Sequence, residues 1–79
     1  MNLHDYITVS PEVQFGTPVF KGTRVPVQSL FFHLEEGISL NEFLEDFPSV
    51  SKEQAEAVIE LTGLLFQSSN WGKINEIIA

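Results

Sequence analysis

The sequence predicts a mainly α protein, a trihelical helix-turn-helix core preceded by a short N-terminal β segment. Three observations predict it. From residue 26 onward, apolar residues recur at helical spacing in three blocks, each with its own start or stop signal. Before residue 26 the chain is richer in β-branched residues and is broken by Pro and Gly, which suits short strands and turns. The joins between the helical blocks are short, a tight one after Gly37 and a five-residue one over residues 47–51.

Residues 1–5 read as a frayed end. Tyr6-Ile7-Thr8-Val9 is a strand by composition, Ser10-Pro11-Glu12 a turn, and residues 14–17 a second loop. Val19-Phe20 is a second short strand. Gly22 then permits a positive φ, and Pro26, with φ fixed and no N–H to satisfy, fits the first turn of a helix. Two strands alone are marginal in water, so these need a helix beneath them or a second subunit beside them.

The first helix is expected over residues 26–36. Val27, Leu30, Phe31 and Leu34 make its apolar stripe, with Phe32 and His33 off it, Phe32 being covered by the strands. Gly37 supplies the left-handed C-terminus. Ser39 and Glu42 read as a capping box opening the second helix, in which Leu40, Phe43, Leu44 and Phe47 repeat the spacing until Pro48 stops it. Ser51 and Gln54 form a second capping box. Ala55, Val58, Ile59, Thr62, Leu65 and Phe66 are the expected buried stripe of the third helix, and Lys52, Glu53, Gln54, Glu56, Ala57 and Glu60 its exposed positions. Gly63 inside this pattern costs about 1 kcal/mol relative to Ala. Gln67-Ser68-Ser69-Asn70 breaks the helix.

The domain is accordingly placed at residues 1–69, with residues 70–79 a short apolar tail. Trp71, Ile74, Ile77 and Ile78 lie close together in that tail, which is too short to be stable alone and must dock on its own domain, a second copy or another protein. These four residues are the expected partner-binding positions.

A chain of 79 residues buries only about 60% of its unfolded surface. It has no cysteine, so disulfides and thiolate metal sites are excluded, and His4 and His33 have no metal-ligand spacing. No metal or cofactor is expected. With seven Phe and no covalent staple, the remedy left for a marginal core is self-association, and a homodimer is expected. No apolar run approaches the length of a membrane span, and the N-terminus lacks a basic-plus-apolar signal, so the expected location is cytoplasmic.

Charge is uneven. Residues 1–34 are neutral overall. Residues 35–79 carry nine acids against Lys52 and Lys73 and hold the whole net charge of −7. Such a half repels a nucleic-acid backbone and attracts a basic protein. The candidate nucleic-acid contacts are Lys21, Gly22, Thr23 and Arg24 before the first helix, and Lys52 and Gln54 at the start of the third. The competing reading has Thr23 and Arg24 tying the strand to a helix end or to an acidic neighbour. The third helix presents three acids against one base, a poor surface for reading DNA. None of the acids is paired with a His or Ser in a catalytic motif, and Gly16 and Gly22 are separated by Pro18 and bulky residues, unlike a phosphate-binding loop. A non-enzyme is expected.

The string Gly16-Thr17-Pro18-Val19-Phe20-Lys21-Gly22-Thr23-Arg24-Val25-Pro26-Val27 has the pattern G-x-P-x-x-x-G-T-R-x-P-V. With Ser10-Pro11-Glu12-Val13 before it, and Leu34-Glu35-Glu36-Gly37-Ile38-Ser39 and Phe47-Pro48 after it, the chain resembles domain-of-unknown-function family 433 from about residue 6 to residue 66. The resemblance implies a homeodomain-like trihelical core with an extra N-terminal β segment. It also implies an antitoxin-like protein encoded beside a PIN-like ribonuclease toxin that it binds and neutralises. The other reading is a dimeric helix-turn-helix regulator that binds operator DNA, and the two can coexist.

Overall fold

The computed structural model describes residues 2–67, so the expected tail contacts Trp71, Ile74, Ile77 and Ile78 lie outside the described residues. Strands β1 (Ile7–Thr8) and β2 (Val19–Phe20) pair antiparallel, with Ile7 opposite Phe20 and Thr8 opposite Val19. Helices α1 (Val27–Glu35), α2 (Leu40–Asp46) and α3 (Lys52–Leu64) follow. The mainly helical class with an N-terminal β segment is the one the sequence predicts.

The start of the chain is more ordered than its composition implied. Leu3–Asp5 forms a 3-10 turn whose first amides are capped by Asn2, its Oδ1 accepting from the His4 N–H at 3.0 Å. Further on, Gln14, Phe15 and Gly16 all have positive φ, at 50°, 56° and 85°. A non-glycine residue held in that region costs on the order of 1 kcal/mol.

After β2 the chain reverses in a tight turn. The Phe20 carbonyl accepts from the Thr23 N–H at 3.0 Å, and Gly22 in the third position has φ +79°, which makes a type II turn that a side chain would strain. Pro26 has ψ 137° and remains extended, bridged to Val19, while the Val27 N–H donates to the Pro18 carbonyl. Helix α1 therefore begins one residue later than the proline suggested, because the sheet holds Pro26. At its other end the Ile38 N–H donates to the His33 carbonyl and the Gly37 N–H to that of Leu34, with Gly37 at φ +79°, the paired bonds of a Schellman cap.

Both serine caps form. The Ser39 hydroxyl accepts from the Glu42 N–H at 3.2 Å, but the Glu42 side chain does not reach back, so only half of that expected capping box is built. At α3 it is complete: Ser51 Oγ accepts from the Gln54 N–H, and Gln54 Oε1 from the Ser51 N–H, both at 3.0 Å. Between α2 and α3 the Phe47 carbonyl accepts from the Val50 N–H across Pro48 and Ser49, which turns Val50 into the core.

The core is Phe20, Leu30, Phe43, Val50, Ala55 and Val58, so β2 and all three helices contribute to it. Phe43 is its centre, with ring centroids 6.2 Å from Phe20, 4.9 Å from Phe47 and 5.3 Å from His33. His33, off the expected stripe, is half-buried. Its Nδ1 donates to the Ser29 carbonyl at 2.7 Å, and its ring stands edge-on against Phe43 and Phe47. Leu34, expected inside, is exposed, and Phe32 is 53% exposed rather than covered by the strands. On α3, Ala57 is buried, against expectation. Leu65 and Phe66 fall beyond the last helical residue and are exposed.

Among the described residues no heavy atom lies within 4 Å of where a Gly63 Cβ would stand, so no described helix packs closely against it. Gly63→Ala is expected to raise stability by about 0.5–1 kcal/mol through helix propensity alone. A thermal melt checks it, and an unchanged or lower midpoint would show that the glycine has another role.

Candidate functional site

Helix α3 buries Ala55 and Val58 against the core, which leaves its opposite side to Glu53, Glu56 and Glu60. These stand at i, i+3 and i+7 and so form one row along the helix. Ala57 lies beside the row with only a methyl group, and Tyr6, just before β1, forms the facing wall. The result is an open depression of about 480 Å³ lined by Tyr6, Lys52, Glu53, Glu56, Ala57 and Glu60. Lys52 Nζ is 3.8 Å from Glu56 Oε1, an exposed i, i+4 pair. Glu53 and Glu60 make no ion pair among the described residues. The depression thus offers uncompensated carboxylates beside an aromatic wall, a surface suited to a lysine or arginine from a partner.

The candidate nucleic-acid residues are only partly brought together. The Gln54 Nε2 donates to the Lys21 carbonyl at 2.8 Å, which docks the Lys21-Gly22 turn against the start of α3. That bond and the capping box commit both ends of the Gln54 amide. Thr23 Oγ1 donates to the Phe20 carbonyl at 2.8 Å and accepts from the Val25 N–H at 3.0 Å, so it serves its own turn. Lys52 is paired with Glu56. Lys21 and Arg24 remain, both exposed. Arg24 makes no hydrogen bond or ion pair among the described residues, so it does not tie the strand to an acid or a helix end as expected. Accordingly Thr23→Val is expected to cost about 1–2 kcal/mol. Arg24→Ala is expected to change stability by less than about 0.5 kcal/mol. Equilibrium denaturation of the two variants separates these, and an Arg24→Ala loss as large as that of Thr23→Val would overturn the assignment.

Among the described residues no group of three or more His, Asp or Glu side chains is placed to hold a metal ion, and no helix is long and apolar enough to cross a membrane.

The family model described as "Protein of unknown function (DUF433)" matches residues 7–61. The chain belongs to this family. The match contains both strands, α1, α2, most of α3 and the whole acidic row, and it stops before the tail. The chain is also 40% identical over 50 residues to the uncharacterized protein y4eO of Sinorhizobium fredii (strain NBRC 101917 / NGR234). That alignment covers 63% of this chain but 23% of y4eO, so the chain spans about a quarter of the curated relative it matches. No solved structure matches the chain.

The glutamates of the row were legible as exposed positions of a helix. Tyr6 was not legible as part of a site: it read as a strand residue, and only the placement of β1 beside α3 makes it a wall. No sequence signal marks that juxtaposition.

Proposed function

We propose that this protein is an antitoxin-like protein of a bacterial toxin–antitoxin pair, a cytoplasmic homodimer that binds and neutralises a PIN-like ribonuclease toxin and catalyses no reaction itself. The observation that carries the reading is the row Glu53, Glu56 and Glu60 above the Tyr6 depression. A ribonuclease holds RNA by its phosphates and so needs basic side chains around its substrate path. A row of fixed carboxylates competes for those side chains and speeds the encounter. The apolar anchors of the same contact are assigned to Trp71, Ile74, Ile77 and Ile78. The experiment is co-expression with the product of the adjacent reading frame. The reading expects the two to co-purify and the ribonuclease activity of that product to fall as this protein is added. A neighbour that neither binds nor is inhibited at low salt would refute it.

A second reading, a dimeric helix-turn-helix regulator, is favoured by the Gln54–Lys21 bond, which docks the Lys21-Gly22 turn against the start of α3. Direct readout then falls to a helix whose exposed side is acidic, so any operator contact rests on Lys21, the Gly22 backbone and Arg24, doubled in the dimer. Operator binding by the protein alone, steeply weakened by salt, would favour it.

A further inference from the structure

Away from the acidic row, the surface between the N-terminal segment, α1 and α3 is apolar. One depression of about 340 Å³ lies among Leu3, Ile7, Val27, Phe31, Leu61 and Leu65. A second, of about 270 Å³, lies between Thr17, Pro18 and the same Val27 and Phe31. Val27 and Phe31 line both parts of this apolar groove. Among the described residues no charged side chain lines either part, in a chain of net charge −7.

Beside this groove stands a matching projection. Phe15 is 100% exposed, an unusual state for a phenylalanine, and three successive positive φ values at Gln14, Phe15 and Gly16 hold it outward. It lies two residues before Thr17, which lines the second depression.

We propose that this groove receives Phe15 of a second copy, the two copies exchanging their Phe15 side chains across a two-fold axis. An isologous interface requires the projection and its receptacle to lie on one patch of the same chain, and here they are adjacent. Charge selects the occupant. Two copies each carrying −7 repel wherever their acids face each other, and this uncharged groove is where they meet without opposing carboxylates. This deepens the homodimer stated above by giving it a surface. The toxin reading stands separately, because the acidic row uses other residues.

The test is sedimentation of the full chain and of Phe15→Asp. Phe15 is fully exposed among the described residues, and aspartate tolerates a positive φ, so the variant is expected to keep its thermal melt. It is expected to weaken self-association by roughly 30-fold or more, the loss typical of a buried aromatic anchor. Because the chain has no cysteine, Phe15→Cys and Leu61→Cys made in separate copies supply a second measurement. Mild oxidation is expected to cross-link the two variants when they are mixed and to leave Phe15→Cys alone uncoupled. A full chain that is monomeric at micromolar concentration overturns the proposal, as does a dimer that Phe15→Asp does not weaken. A monomer that dimerises only after residues 71–79 are removed also overturns it, showing the groove filled by the chain's own end.

Discussion

Replacing Phe43 with alanine is expected to lower the thermal midpoint by about 15–30 °C. Phe43 is fully buried, and its ring is the meeting point of Phe20 from β2, His33 from α1 and Phe47 at the end of α2. Phenylalanine-to-alanine changes in a core cost about 3–5 kcal/mol, because a cavity is added to the lost transfer energy. A domain of this size has on the order of 4–12 kcal/mol to lose. Relaxation cannot recover much here. Helix α2 has seven residues and is fixed at both ends, by the Ser39 cap and by the Pro48 turn, so it cannot slide inward without breaking one of them. Phe32→Ala is the matched control, since that ring is largely in water, and it should shift stability by no more than about 0.5 kcal/mol. Circular dichroism melts of the two variants decide the matter. A Phe43→Ala protein that melts within a few degrees of the parent would mean that the core does not centre on this ring.

The parts of this fold that sequence made legible are those set by local chemistry. Ser39 and Ser51 announce helix starts, Gly37 a left-handed stop and Pro48 a break, because each acts on backbone groups within a few residues of itself. What was not legible depends on elements brought together from a distance. His33 has a polar ring that becomes a packing surface only when α2 lays Phe43 and Phe47 against it. Gln54 read as a cap and as a candidate nucleic-acid contact. Its bond to the Lys21 carbonyl spans 33 positions and, with the capping box, fixes the amide in place, leaving one Nε2 hydrogen for any further acceptor. Arg24 sits in the most distinctive motif of the chain yet makes no side-chain hydrogen bond or ion pair among the described residues. The motif around it encodes the turn through Gly22 and Thr23, whereas an exposed guanidinium encodes no fold. The same division holds at the acidic row: helical periodicity placed Glu53, Glu56 and Glu60 together, but the depression beneath them needed Tyr6 from another element.

Reversing that row, Glu53→Lys with Glu56→Lys and Glu60→Lys, is expected to reduce affinity for the adjacent-frame product by roughly 100-fold or more. Each reversal changes the charge by two, so the net charge moves from −7 to −1 and the depression becomes wholly basic. The fold should survive. All three glutamates are exposed, and the one ion pair lost among the described residues, Lys52 with Glu56, is an exposed pair worth about 0.3–0.5 kcal/mol. A change in net charge alone also slows association with a basic partner, so a charge-matched control is needed. Glu12→Lys with Glu35→Lys and Glu36→Lys has the same net charge and leaves the row intact. If the row is the contact, the control keeps its affinity within a factor of a few, whereas the row variant loses it mainly through the association rate. Salt provides the second signature. Parent binding should weaken as salt is raised and the Debye length falls toward about 3 Å at 1 M, while the residual binding of the row variant should not weaken further. Equal losses in both variants would mean that the acids act only as a diffuse field. No loss in either would place the partner elsewhere on the chain and remove the row from the proposed function.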